Sequence, residues 1–172
     1  MLCKGDVVMH DNTRKIVMSA MLSALVCVAT MIIKIQITPN GYVNFGDGVV
    51  MLAGFMLGPL YGFMAAGIGS ALADLLSGFV VYVPATFVVK GLMAVVAVWV
   101  AKGFLRVVNK TLAIILATVL SELVMVLGYY IFEGFIYGFD VAILSMPGNA
   151  VQATAGIISG AILIRMFLKR RF

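Results

Sequence analysis

Four long apolar runs most constrain how this chain can fold. Residues 16–33, 85–100, 112–132 and 143–168 each contain at most one charged side chain. A helix that crosses a bilayer needs about 20 mainly apolar residues. Hydrophobic residues make up 63% of the 172-residue chain and charged residues 11%, against roughly half and a quarter in a soluble domain. The sequence therefore predicts an integral membrane protein, a single domain over residues 1–172 with room for about six spans.

The region 45–81 allows two interpretations. It holds either one long helix or two helices broken at Gly58-Pro59, a pair that disfavours an uninterrupted helix. Two helices place every Lys and Arg except Lys34 and Lys90 on one face of the membrane, whereas one helix splits the basic clusters between both faces. The positive-inside bias favours two helices. We therefore predict an all-α bundle of six transmembrane helices in a cell membrane, with both termini cytoplasmic.

The residue types needed for metal or disulfide chemistry are poorly placed. Cys3 lies in the N-terminal tail and Cys27 within the first predicted helix, and neither has metal-ligand spacing with His10. The net charge of +5 follows the membrane topology rather than a nucleic-acid-binding patch. We expect no cofactor, no metal ion and no nucleic acid partner.

A small membrane enzyme acting on a lipid or isoprenoid is the alternative from a different class. Asp47, Asp74 and Glu122 would then serve as acid, base or metal ligands. These carboxylates stand on three helices at different depths, which disfavours a shared metal site. We therefore predict that the chain is not an enzyme.

Polar side chains recur at helical spacing inside the predicted spans. An unpaired charge in hydrocarbon costs at least about 3 kcal/mol, so these side chains should face a shared interior near the extracellular side. Two interpretations of Asp74 and Lys90 stay open. They neutralise each other and join two helices, or Lys90 donates to a ligand and Asp74 orients it. Glu122 lies deeper and is either structural or a ligand contact.

Aromatic side chains gather in the predicted extracellular connections, residues 34–44, 77–84 and 133–146. They either form the aromatic belt of the membrane interface or cover a pocket and stack on a flat ligand. The run Thr38-Pro39-Asn40-Gly41 is a turn signal. We therefore expect residues 34–44 to form a loop, and if the chain binds a small ligand with high affinity, this is the loop expected to close over it.

The stretch NFGDGVVMLAGFMLGPLYGFMAAGIGSALADLLSGFVVYVPATFVVKGLMA resembles the substrate-binding S components of energy-coupling factor (ECF) vitamin transporters. The shared features are the Asn-x-Gly-Asp entry to the second helix, the Gly-Pro turn, the Gly-x-Gly-Ser-x-x-x-Asp run and the Pro-Ala-Thr start of the fourth helix. Within the family, the sequence looks most like the members assigned to hydroxymethylpyrimidine or pyridoxine. The resemblance implies a high-affinity subunit that captures a vitamin from outside and joins a membrane-embedded scaffold subunit and two ATPases. A stand-alone vitamin carrier is a further alternative.

The resemblance also implies which residues act. An Ala-x-x-x-Ala motif on the first helix of S components packs on the scaffold, and here Ala20, Ser23 and Ala24 fit it. Small residues four apart let another helix approach closely. The family forms its ligand pocket from loops and from the outer ends of the later helices. With the intramembrane carboxylates added, the predicted substrate-binding residues are Lys90, Asn149, Gln152, Tyr129, Glu122, Asp74, Tyr42, Asn44 and Tyr82.

Overall fold

The computed structural model describes residues 4–32, 34–38, 41–44 and 46–169, and within them the side chains of residues 12–32, 34, 44 and 46–167. Six helices form a bundle, and a β-hairpin joins the first two. The elements in chain order are α1 (Lys4–Ile32), β1 (Lys34–Thr38), β2 (Gly41–Asn44), α2 (Asp47–Leu57), α3 (Pro59–Leu76), a 3-10 turn (Val80–Tyr82), α4 (Val83–Phe104), α5 (Lys110–Tyr137) and α6 (Phe139–Lys169). The six predicted helices are confirmed, whereas the all-α prediction missed the hairpin.

Five of these helices are long and apolar enough to cross a membrane: α1 from Asn12, α3, α4 with its preceding 3-10 turn, α5 and α6. The exposed surface of the bundle is correspondingly apolar, as Trp99 and Leu60 illustrate at 63% and 71% exposure. The chain is therefore a multi-pass membrane protein. The count of six spans and the cytoplasmic termini stay predictions.

The break between α2 and α3 confirms the two-helix interpretation of this region. Gly58 has a φ of 82°, a conformation that favours glycine, and Pro59 occupies the first turn of α3. A Cβ at Gly62 would meet the backbone of Gly54. The two helices therefore fold back on each other around a single residue.

Helix α2 has 11 residues and spans about 16 Å, roughly half of a hydrocarbon core. It begins beside the middle of α6, because Asp47 contacts Gln152. It runs in the same direction as α6, since Gly48 and Met51 pack against Gly160 farther along that helix. The antiparallel hairpin of β1 and β2 packs on α6 before α2 begins. The hairpin and the half-length α2 therefore pack one after the other along α6.

Two side-chain bonds bring the connections together at one end of the bundle, which we call the hairpin end. Lys34 Nζ donates to Ser77 Oγ at 2.5 Å, which ties β1 to the end of α3. Tyr82 OH donates to Glu133 Oε1 at 3.1 Å, which ties the 3-10 turn to α5. The start of β1, the 3-10 turn and the end of α5, which all lie in predicted extracellular connections, are therefore at the same end of the bundle.

The predicted long connection over residues 133–146 is wrong. Helix α5 continues to Tyr137, and α6 begins at Phe139 and includes Pro147. Gly138, with a φ of 92°, reverses the chain in one residue because it lacks a Cβ. The polar and aromatic residues of this stretch are therefore helical and hold fixed positions on α5 and α6.

Candidate functional site

Asp47, the first residue of α2, is the centre of a buried polar network. Its Oδ1 accepts a hydrogen bond and a salt bridge from Lys90 Nζ on α4, and its Oδ2 accepts from Gln152 Nε2 on α6 at 2.7 Å. The positive end of the α2 dipole adds a favourable interaction with the carboxylate. Three helices therefore meet on one carboxylate that is 0% exposed.

Gln152 connects this carboxylate to the hairpin. Its Oε1 accepts from the backbone N–H of Asn44 at 3.1 Å, while its Nε2 is used on Asp47. Asn44 Oδ1 in turn accepts from Gly46 N at 3.0 Å. The end of β2 is thus bonded to the middle of α6, and we call Asn44, Asp47, Lys90 and Gln152 the Asp47 network.

Aromatic rings of α5 and of the 3-10 turn lie on the Lys90 side of the network. Lys90 Nζ lies 5.6 Å from the ring centroid of Tyr129, within the range of a cation–π interaction. The Tyr129 hydroxyl and Thr86 Oγ1 share a hydrogen bond of 2.9 Å. The ring of Tyr82 lies 6.4 Å from that of Tyr129, centroid to centroid. The flat, partly polar ring of Tyr129 therefore lies against the ammonium group, with the ring of Tyr82 beyond it.

Two buried polar groups beside the network have no hydrogen-bond partner among the described residues. Both carboxyl oxygens of Glu122 on α5 are unbonded, as is Asn149 Nδ2 on α6. Glu122 is 1% exposed and its carboxyl lies against Gly156 of α6. Buried polar groups are normally bonded, so the bonding beside the network is incomplete at these two residues; elsewhere in the described part of the bundle, Ser70 Oγ and Glu133 Oε2 are also unbonded.

The chain matches the model of a known protein family. Residues 10–170 match the model of the family described as "ECF-type riboflavin transporter, S component". The chain belongs to this family. The match extends over nearly the whole chain, so the S-component resemblance noted in the sequence is confirmed at family level. The narrower assignment to a hydroxymethylpyrimidine or pyridoxine type is not confirmed.

Two individual proteins are similar to this S component. An "Uncharacterized protein in gap 3'region" of Pyrococcus woesei is 40% identical over 146 residues, which cover 84% of this chain and 95% of the relative. A solved structure titled "Structure and mechanism of the S component of a bacterial ECF transporter" superposes with a TM-score of 0.63 at 24% identity, covering 93% of this chain and 96% of that one. At that identity the solved structure shows the fold alone, which is the S-component fold.

The structure brings most of the predicted ligand residues of this S component together. Asn44, Lys90 and Gln152 belong to the Asp47 network. Tyr129 lies against Lys90, and Tyr82 lies next to Tyr129. Asn149 lies one helical turn before Gln152 on α6, and Glu122 lies beside Asp47. Their contact with a ligand stays a prediction. The side chain of Tyr42 lies outside the described residues.

Of the two interpretations of Asp74 and Lys90 that the sequence left open, the one in which they neutralise each other is wrong. Lys90 forms its salt bridge with Asp47, because α2 begins at mid-depth and presents its first side chain toward α4. Asp74 is buried in the last turns of α3, and its backbone oxygen accepts from Phe79 N at 2.9 Å. Asp74 therefore belongs to the end of α3 rather than to the Asp47 network.

Asp47 and Thr86 are the site residues that the sequence analysis did not place in the ligand site. Asp47 appeared only among the carboxylates of the enzyme alternative, although it ends the Asn-x-Gly-Asp motif. A lone Asp at the start of an apolar helix needs a buried partner. By this criterion Asp47 was as good a candidate partner for Lys90 as Asp74 was. Among the described residues, no three His, Cys, Asp or Glu side chains are placed to hold a metal ion together.

The predicted docking residues separate into two environments on α1. Ser23 is buried and its Oγ donates to Ala65 O of α3 at 3.0 Å. Ala20 and Ala24 are exposed. Ser23 therefore holds α1 to α3, whereas the two alanines lie on a surface that another protein can reach.

Proposed function

We propose that this S component binds a small water-soluble vitamin with a flat heteroaromatic ring at the Asp47 network, for uptake into the cell. The observation that carries the proposal is the buried ion pair of Asp47 and Lys90 beside the unbonded groups of Glu122 and Asn149. Ionisable residues within membrane spans are expensive to bury and are usually functional. Membership of a transporter S-component family supports the same role.

The side chains around the network suit such a ligand. The Lys90 ammonium carries three N–H donors, of which Asp47 uses one, so others are available to ring nitrogens or carbonyls. Asn149 offers an amide donor that is already desolvated. The rings of Tyr129 and Tyr82 supply faces for stacking. A few fixed polar groups among apolar walls are typical of small-molecule sites.

The structure corresponds to a closed shape in this proposal. Lys90, Asp47 and Gln152 are 2%, 0% and 3% exposed, so a ligand must displace protein groups to reach them. The hairpin is the segment that fits this role, because the bond from Asn44 N to Gln152 joins its end to the network. We place the hairpin end on the outer side of the cell membrane, in keeping with the positive-inside bias.

Two cargo assignments follow from different observations. The family model favours riboflavin, whereas the likeness of the sequence to S components assigned to hydroxymethylpyrimidine or pyridoxine favours one of those. We propose riboflavin as the first candidate, because the family model matches nearly the full chain. The partners in this proposal are an ECF scaffold subunit, two ATPases and the lipid bilayer, with Ala20 and Ala24 on the docking surface.

Uptake of radiolabelled vitamins by cells tests the transport role. We expect uptake when the chain is produced together with the scaffold and both ATPases, and none when any of these is omitted. Uptake by the chain alone would instead establish a stand-alone carrier. Metal-dependent turnover of a lipid by the purified chain, lost on Asp74→Asn, would contradict the proposal in favour of the enzyme alternative.

A further inference from the structure

Glu122 is a buried ionisable group that lies beside the Asp47 network but is not bonded to it. It lies on α5, is 1% exposed, and neither carboxyl oxygen has a hydrogen-bond partner among the described residues. Its carboxyl rests on the Cα of Gly156, and a Cβ there would meet both the carboxyl and, at 3.1 Å, the Cβ of Asp47. The absent side chain of Gly156 therefore makes the space that Glu122 occupies.

The charged groups that face Glu122 are Asp47 from α2 and Lys90 from α4. Lys90 is bonded to Asp47, and both oxygens of Asp47 already accept hydrogen bonds. The protein thus places beside Glu122 a carboxylate that repels it and an ammonium that is bonded to Asp47 rather than to Glu122. Leaving a buried acceptor unsatisfied is unfavourable, so a ligand that brings a hydrogen-bond donor to this point gains a bond without displacing an existing one.

We propose that Glu122 is the specificity-determining acceptor for a ring N–H of the cargo, with Lys90 as the donor to a carbonyl beside that N–H. This inference rests on the proposed function. An acceptor next to a donor on the protein matches an N–H next to a carbonyl on the ligand. The pyrimidinedione ring of a flavin offers such an edge, with its N3–H between two carbonyls, whereas a pyridine ring with hydroxyl groups does not.

Methylation of riboflavin at N3 removes this donor and leaves the rest of the ring unchanged. The experiment measures four Kd values by titration calorimetry: riboflavin and 3-methylriboflavin, each with the wild-type chain and with Glu122→Leu. We expect methylation to weaken wild-type binding about 100-fold and binding to Glu122→Leu no more than about 3-fold, because the variant has no acceptor to lose. An equal methylation penalty in both proteins overturns the inference.

Further variants keep the test decisive if Glu122→Leu does not fold. Gly156→Ala keeps the carboxyl but moves it, so we expect the methylation penalty to fall to about 10-fold or less, and an unchanged penalty in the folded variant overturns the inference. Asp140→Asn removes an exposed carboxylate and should keep the full penalty. A folded wild-type chain that does not bind riboflavin overturns the flavin assignment together with this inference. If the wild-type chain binds riboflavin but the variants show the same loss of affinity on N3 methylation as the wild type, only the role of Glu122 is overturned and the flavin assignment stands.

Discussion

At the scale of single residues, the main feature is a salt bridge buried inside a membrane protein. Lys90 and Asp47 are almost completely shielded from solvent, and each is the other's ionic partner. Burying two charges is compensated only when they remain paired and hydrogen-bonded. The pair therefore stabilises the fold. An experiment on ligand binding has to distinguish a direct contact with the ligand from this effect on stability.

Removing one partner of this pair should destabilise the protein more than removing both. We expect Lys90→Met to lower the free energy of unfolding by about 3–5 kcal/mol, because it leaves the Asp47 carboxylate buried without a cation. The double variant Lys90→Met, Asp47→Leu should recover most of that loss. Chemical unfolding in detergent measures both values, and a double variant less stable than Lys90→Met would contradict the expectation.

Asn149 allows the ligand role to be tested without disturbing the pair. Its Nδ2 has no partner in the structure, so Asn149→Ala should leave the melting temperature nearly unchanged. It should weaken vitamin binding about 10-fold if the amide donates to the cargo. Thr154→Ala, an exposed position on the same helix, is the matched control. Equal affinity in Asn149→Ala and the control would remove Asn149 from the site.

At the scale of elements, the hairpin and the short α2 together occupy the position at which the second transmembrane helix was predicted. The 11-residue helix begins at mid-depth, so its N-terminal turn and Asp47 reach the centre of the bundle. Interrupted helices in transporters similarly place helix ends and polar groups at the substrate site. The bond from Asn44 to Gln152 then makes the hairpin responsive to changes in the network.

Loss of the Gln152 amide should loosen the hairpin. Gln152→Leu removes the acceptor for Asn44 N and the donor to Asp47. We expect faster backbone hydrogen exchange in residues 34–44, measured by mass spectrometry, while the peptides of α5 keep their protection. Ser159→Ala, whose hydroxyl donates to a carbonyl within α6, is the control. Unchanged exchange in the hairpin would show that other contacts hold it.

The exposed alanines of α1 should matter for transport and not for binding. Replacing Ala20 and Ala24 with Leu fills the surface that small residues leave open to another helix, so uptake should fall to background. Vitamin affinity should stay within about 2-fold of wild type, a difference below 1 kcal/mol. Ala150→Leu, an exposed small residue on α6, is the control. Loss of binding in the Ala20 and Ala24 variants would make these residues structural.

At the scale of the whole molecule, the sequence allowed prediction of the helices better than of their contacts. Apolar runs and the Gly58-Pro59 break predicted six helices because these signals are local. The one-residue turn at Gly138 was missed because a single glycine between two amphipathic segments is a weak signal. Lys90 and Asp47 are 43 residues apart, and their pairing depends on the depth at which α2 begins, which no local pattern encodes.

The central claim is that this S component binds a vitamin, and equilibrium titration tests it most directly. Riboflavin, hydroxymethylpyrimidine, pyridoxine, thiamin and niacin are each titrated into the detergent-purified chain, whose fold is checked by its melting transition. We expect one of them, riboflavin first, to bind with a nanomolar Kd, about −12 kcal/mol, and to raise the melting temperature. A folded chain that binds none of these vitamins would contradict the account.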